Sequence, residues 1–146
     1  MKMSLNGAFE LKIPLDKTFK FLTDSDNISR CIPDSNDTNI VNKTVFNTSL
    51  NMGIGFIKGS FGVHCEIKPR PPNLVLLVIE GGGVGSKMKV QLNLQLTKKS
   101  QNLTSVSWTA DAEMSGLISG VGENLLKNIS GSRIEEIVKR LKESAK

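Results

Sequence analysis

The stretch from Lys87 to Thr97 alternates without a fault. Met88, Val90, Leu92, Leu94 and Leu96 fall on one side, and Lys89, Gln91, Asn93 and Gln95 on the other. Residues two apart share one face of a strand, so this period describes a sheet with one apolar and one wet face. The same period runs through Phe56 to Lys68, where Ile57, Phe61, Val63, Cys65 and Ile67 oppose Lys58, Ser60, His64, Glu66 and Lys68. It returns where Val106, Trp108, Ala110, Ala112 and Met114 oppose Ser107, Thr109, Asp111 and Glu113. Turn residues separate the runs: Pro69 to Pro72, Gly81 to Gly85, and Lys98 to Asn102. Short-turned strands of this kind make a largely antiparallel sheet, whose apolar face must be covered.

The ends of the chain supply the cover. Leu5, Gly7, Phe9, Leu11 and Ile13 alternate as a first strand, and Pro14 ends it. Leu15, Phe19 and Leu22 follow at helical spacing, and a second short helix fits Asp24 to Cys31, capped by Thr23 or Asp24 and stopped at Pro33. From Leu117 onward the chain reads as a long helix. Its stripe changes phase: Ile118, Val121, Leu125 and Ile129 share one side, while Ile134, Ile137, Val138 and Leu141 fall on nearly the opposite one. A kink or brief break near Gly131 is expected, with a smooth helix as the alternative.

A helix is only about 10 Å wide, and six or seven strands about 4.8 Å apart are far wider. The sheet must therefore curl around the helix, and Gly55, Gly59 and Gly62 permit bending. The inward positions expected of Ala110, Ala112, Gly116, Gly120 and Gly122 are small, which leaves space for a lipophilic ligand or for closer helix–sheet packing. The candidate lining is Phe61, Val63, Val90, Leu92, Trp108, Met114, Val121 and Leu125, each of which also reads as ordinary core. Leu74 to Ile79 is apolar on both faces, so the strand from Val75 to Ile79 is either covered on both sides or meets a second copy in a homodimer.

Other functions lack their residues. His64, the one histidine, falls on the wet face, and with Cys31 and Cys65 scattered it makes no metal site. Cys65 points inward, away from His64, so no nucleophile–base pair forms. Asp111 and Glu113 lie on the wet face rather than as a buried acid–base pair. Gly81 to Gly85 fits no phosphate-loop pattern and precedes a strand, not a helix. The net charge of +5 is spread along the chain without aromatic interleaving, which argues against nucleic acid. No leader and no long apolar run is visible, so a cytoplasmic protein with reduced thiols is expected. No cofactor is called for.

Several segments together resemble the carbon monoxide dehydrogenase CoxG family, within the START-like and Bet v 1-like helix-grip superfamily. They are Ile13 to Leu22, Asp24 to Pro33 ending Cys31-Ile32-Pro33, Gly55 to Gly59 leading into Phe61, Pro71-Pro72, Gly81 to Gly85, Thr104 to Trp108, and Gly116 to Gly122. Asp34 departs from the family's usual Gly. The resemblance implies one α+β helix-grip domain over 1–146: a curved antiparallel sheet of about seven strands, two short helices after the first strand, and a long C-terminal helix. It further implies a non-catalytic accessory protein that holds a quinone or other lipid, with molybdenum hydroxylase subunits as partners and at most peripheral membrane contact. The alternative is a small cyclase- or hydrolase-like enzyme acting on a hydrophobic substrate.

Overall fold

In a computed structural model, which describes residues 1–54 and 56–145, the alternating runs become seven antiparallel strands in one sheet. β1 (Lys2–Leu11) is followed by α1 (Leu15–Leu22) and α2 (Ser25–Arg30). The strands β2 (Ser35–Asn42), β3 (Val45–Ile54), β4 (Ile57–Arg70), β5 (Leu74–Gly83), β6 (Ser86–Ser100) and β7 (Leu103–Gly116) follow as a meander. A 3-10 turn at Leu117–Gly120 then leads into α3 (Glu123–Ser144). The sheet order is β1-β7-β6-β5-β4-β3-β2, so the first strand returns to pair with the last. The expected helix-grip architecture is present. Gly55, one of the glycines assigned to bending, lies outside the described residues.

Local chemistry accounts for the short helices. Pro14 stands at the N-cap of α1, and Asp24 caps α2 by accepting hydrogen bonds from the amides of Asp26 and Asn27. Leu15, Phe19, Phe21 and Ile28 pack over one end of the sheet, against a core that includes Leu11, Leu96, Val106 and Phe46. A second core, built on Ile54, Ile57, Phe61, Met114, Ile118 and Leu126, closes the other end.

The C-terminal helix corrects two expectations. α3 runs unbroken through Gly131, and it begins at Glu123 rather than at Leu117. Ile118 and Val121 belong to the separate 3-10 turn and its exit, so their phase says nothing about α3. The change of direction falls at Gly122, whose φ of 97° takes the chain from one helix into the other. From there a single stripe runs through Leu126, Ile129, Arg133, Ile137, Leu141 and Ala145, stepping by three or four residues. Arg133 is its polar member, and this hides the stripe from a purely apolar reading.

The two-faced strand has an internal explanation. β5 is the middle strand of the seven, so both its edges are paired. Val75 and Leu77 are buried on the inner face. On the outer face Leu74, Leu76 and Val78 are half-buried between the long side chains of Arg70, Lys68 and Glu66 on β4 and Gln95, Asn93 and Gln91 on β6.

An uninterrupted α3 makes a direct prediction. A Cβ built on Gly131 meets nothing within 4 Å, so Gly131→Ala gains helix propensity at no steric cost. Urea unfolding is expected to show stabilisation by about 0.5–1 kcal/mol. A loss of stability would mean the helix needs glycine there.

Candidate functional site

The inner face of the sheet is sealed at both ends and accessible between them. At the α1–α2 end Leu94, Leu96 and Val106 are buried, and at the hairpin end Met3, Ala112 and Met114 are buried. Between these, Val90 and Leu92 on β6, Ile79 on β5, and Trp108 and Ala110 on β7 face inward yet stay only half-buried. These strands have a paired neighbour on each side, and the buried residues show that their outer backbone contributes little exposure. Solvent therefore reaches the middle residues from inside, between sheet and helix. α3 approaches β1 more closely than the other strands, so it stands away from the middle of the sheet. The two apolar cores correspondingly form separate clusters, with Ala110, Val63 and Thr48 in neither.

The predicted lining residues divide across this arrangement. Val90, Leu92 and Trp108 border the accessible band. Phe61 and Met114 are fully buried in the hairpin-end core, where half-buried Val121 packs beside them. Val63 is buried between the cores. Leu125 points away: it is 43% exposed, whereas its neighbour Leu126 is 2% exposed and takes the inward position. The one-residue error comes from extending the phase of Ile118 and Val121 across Gly122. Of the five small residues expected inside, Ala110 and Ala112 face inward, but Gly116, Gly120 and Gly122 are exposed at the turn end. Leu5, Ile79, Ile129 and Ile137 also face the interior. Leu5 and Ile79 were recoverable from strand alternation alone.

Trp108 is positioned by an absence. A Cβ on Gly7, its cross-strand partner, would lie 2.7 Å from the indole Cζ2, so the ring rests on bare β1 backbone. Arg133 reaches from the inner stripe of α3 to Asp34, with Nη1 3.1 Å from Oδ2, and ties the helix to the segment entering β2. Asp34 holds a left-handed φ of 60°, a conformation natural to glycine, and its side chain makes this ion pair.

Polar groups inside are occupied structurally. The Thr48 hydroxyl lies 2.8 Å from that of Thr38 and 3.1 Å from the Asn36 carbonyl oxygen; Thr104 donates to the Ile13 carbonyl. Ser86 Oγ accepts from the Ile118 amide. Among the described residues no buried side-chain polar atom lacks a partner, and no cluster of three metal-ligating side chains occurs. His64 lies on the outer face, with Nδ1 2.6 Å from Asn47 Oδ1 and Nε2 3.2 Å from Glu66 Oε1. Burial pushes the Cys65 thiol up to about 12, with help from the neighbouring Glu66 charge. Burial also raises Cys31, against Ser144, Arg140 and Arg30, which pull it down. Neither thiol is primed as a nucleophile.

A concavity of about 950 Å³ lies on the outer face instead, over the cross-strand glycines Gly62 and Gly82 and bordered by Lys87, Lys89, Glu80 and Glu113. It is open and lined by alternating charges, unlike an apolar binding site.

The sequence model of one family, the G subunit of carbon monoxide dehydrogenase (CoxG), matches residues 7–146. No curated protein matches the sequence. A conserved protein from Geobacillus kaustophilus superposes with a TM-score of 0.87 at 22% identity, covering 98% of this chain and 95% of that one. A START superfamily protein from Mycobacterium smegmatis gives 0.74 at 12% identity, over 97% and 96% of the two chains. The Zhui aromatase/cyclase from Streptomyces sp. R1128 gives 0.68 at 10% identity, over 99% and 94%. At these identities the solved structures establish the START/Bet v 1-like fold.

The thiols give a pH prediction. A Cys65 that keeps its proton in the folded state, but ionises near its ordinary value of 9.0 when unfolded, stabilises the fold fully below pH 9. That contribution is lost as pH rises towards 12. Native protein at pH 8 should leave Cys65 unmodified by a thiol reagent, and denaturant should release it. Cys65→Ala should lose less stability than wild type between pH 9 and 12; equal losses would contradict the assignment.

Proposed function

Because the chain belongs to the carbon monoxide dehydrogenase CoxG family, we propose that it is a non-catalytic carrier that holds an apolar small molecule between sheet and helix for a molybdenum hydroxylase. The observation that carries this is the half-buried inner band of Ile79, Val90, Leu92, Trp108 and Ala110 between two sealed cores. Accessible hydrocarbon inside a fold is unfavourable unless something covers it. A flat, largely apolar molecule such as a quinone suits a band walled by aliphatic side chains and one indole. Role and partner follow the family: delivery of the molecule, or help in maturing or recruiting the enzyme. Contact with a hydroxylase or with a second copy would use the outer face of β5, where Leu74, Leu76 and Val78 stand.

The alternative is a small enzyme, as one structural neighbour is an aromatase/cyclase. It finds less support. Catalysis on a buried substrate needs acid or base groups converging on it, and the buried polar side chains named above are hydroxyls already bonded to the protein.

Trp108, the only tryptophan, reports on occupancy. A soluble naphthoquinone should quench its fluorescence saturably, and organic extraction of freshly purified protein should release a lipophile. Ala110→Phe fills the band and should weaken quinone binding about tenfold or more, from the lost apolar contact and the clash. Protein that yields no lipophile and shows no saturable quenching would contradict the carrier function.

A further inference from the structure

Four exposed apolar side chains gather at the end of the molecule opposite α1 and α2. Phe56 at the β3–β4 hairpin is 66% exposed, and Leu117 in the 3-10 turn is 52% exposed. Val84 in the β5–β6 turn and Leu125 in the first turn of α3 are also exposed. The segments meet. A Cβ on Gly120 would lie 3.7 Å from Phe56 Cζ, one on Gly85 3.1 Å from Leu117 Cδ1, and one on Gly59 2.8 Å from Val84 Cγ2.

The end is firmly built. The Leu117 amide donates to the Gly85 carbonyl at 3.0 Å and the Ile118 amide to Ser86 Oγ at 2.9 Å. Gly116 permits this closure: at φ 84°, a Cβ there would sit 2.1 Å from the Gly85 oxygen. Directly behind lie Ile54, Ile57, Ile118 and Leu126 of the hairpin-end core. The exposed side chains are thus held outward on a rigid base.

Charge selects the occupant. The segments 51–60, 81–88 and 115–128 carry Lys58, Lys87 and Lys127 against the single acid Glu123, which pairs with Lys127 at 3.5 Å. The neighbouring Lys2–Glu113 and Lys89–Glu80 pairs neutralise themselves. Protruding aromatic and aliphatic side chains within a basic rim match the interface of an anionic bilayer, where apolar groups enter the acyl boundary and lysines meet headgroup phosphates. An apolar protein partner would favour a flatter patch with fewer lysines. Among the described residues no helix is long and apolar enough to cross a membrane, so such contact would be made by these loops.

We infer that the Phe56–Val84–Leu117–Leu125 end docks on the surface of an anionic lipid bilayer. This deepens the carrier function and rests on it for its purpose, since a lipophilic cargo resides in membranes. Flotation of the full chain with phosphatidylcholine vesicles, with and without phosphatidylglycerol, tests it at low and high salt. Wild type should bind the anionic vesicles, weakly at high salt. Phe56→Ser combined with Leu117→Ser should weaken binding about tenfold or more. Lys58→Gln, Lys87→Gln and Lys127→Gln together should weaken it and flatten its salt dependence. All five positions are exposed, and an unchanged melting temperature would show that the variants fold. Ala110→Phe should bind vesicles like wild type while losing quinone binding, which separates failure of the docking surface from failure of the carrier function. Absence of binding to anionic vesicles at low salt would overturn the inference, as would tip variants that bind normally. Self-association abolished by the tip substitutions, without vesicle binding, would assign the end to a second copy and overturn it too.

Discussion

One helix cannot cover seven strands. A sheet of seven strands spans about 29 Å at about 4.8 Å per step, and a helix with its side chains is only about 10–12 Å across. Curling brings the outer strands towards α3, yet α3 approaches β1 more closely than the others and stands off from the middle. Apolar closure is completed only at the ends, by α1 and α2 on one side and by the turns and the 3-10 segment on the other. The accessible inner band results from this mismatch, and so does the division into two cores.

That geometry ties fold to function without a catalytic group. Buried hydroxyls are spent on backbone and cross-strand bonds, thiols are held protonated by burial, and the histidine faces solvent among Asn47 and Glu66. The remaining chemical character of the interior is hydrocarbon with one indole. The polar exception is Arg133, and its guanidinium is committed to Asp34 on the far side of the helix stripe. Where the family's usual residue is Gly, Asp34 occupies a left-handed conformation and gains an ion pair across to α3.

Strand alternation made the sheet legible. Each of the runs through Ile57–Lys68, Met88–Leu96 and Val106–Met114 takes the face its period assigns, because a one-residue slip would turn every apolar side chain into water. The helix was harder to read. Gly122 resets the phase through backbone torsions that no pattern of apolar residues records, which put Leu125 inside and Leu126 outside. Gly131 looked like a break because Arg133 interrupts the apolar stripe, although its partner Asp34 makes the position structurally sound. The glycines at 116, 120 and 122 were placed in the interior for their size alone, yet they shape the exposed end. Half-burial of Val90 and Leu92 depends on where α3 sits relative to the sheet, a tertiary distance beyond the reach of any local period.

The central claim is that hydrocarbon in the middle of the inner face is open to a small apolar molecule. Methyl-resolved NMR during titration with a short-tailed naphthoquinone addresses it residue by residue. Saturable shifts at Leu5, Ile79, Val90 and Leu92, with Leu74, Leu76 and Val78 on the outer face unmoved, are the expected result. Shifts confined to the outer face, or none at ligand saturation, would contradict it.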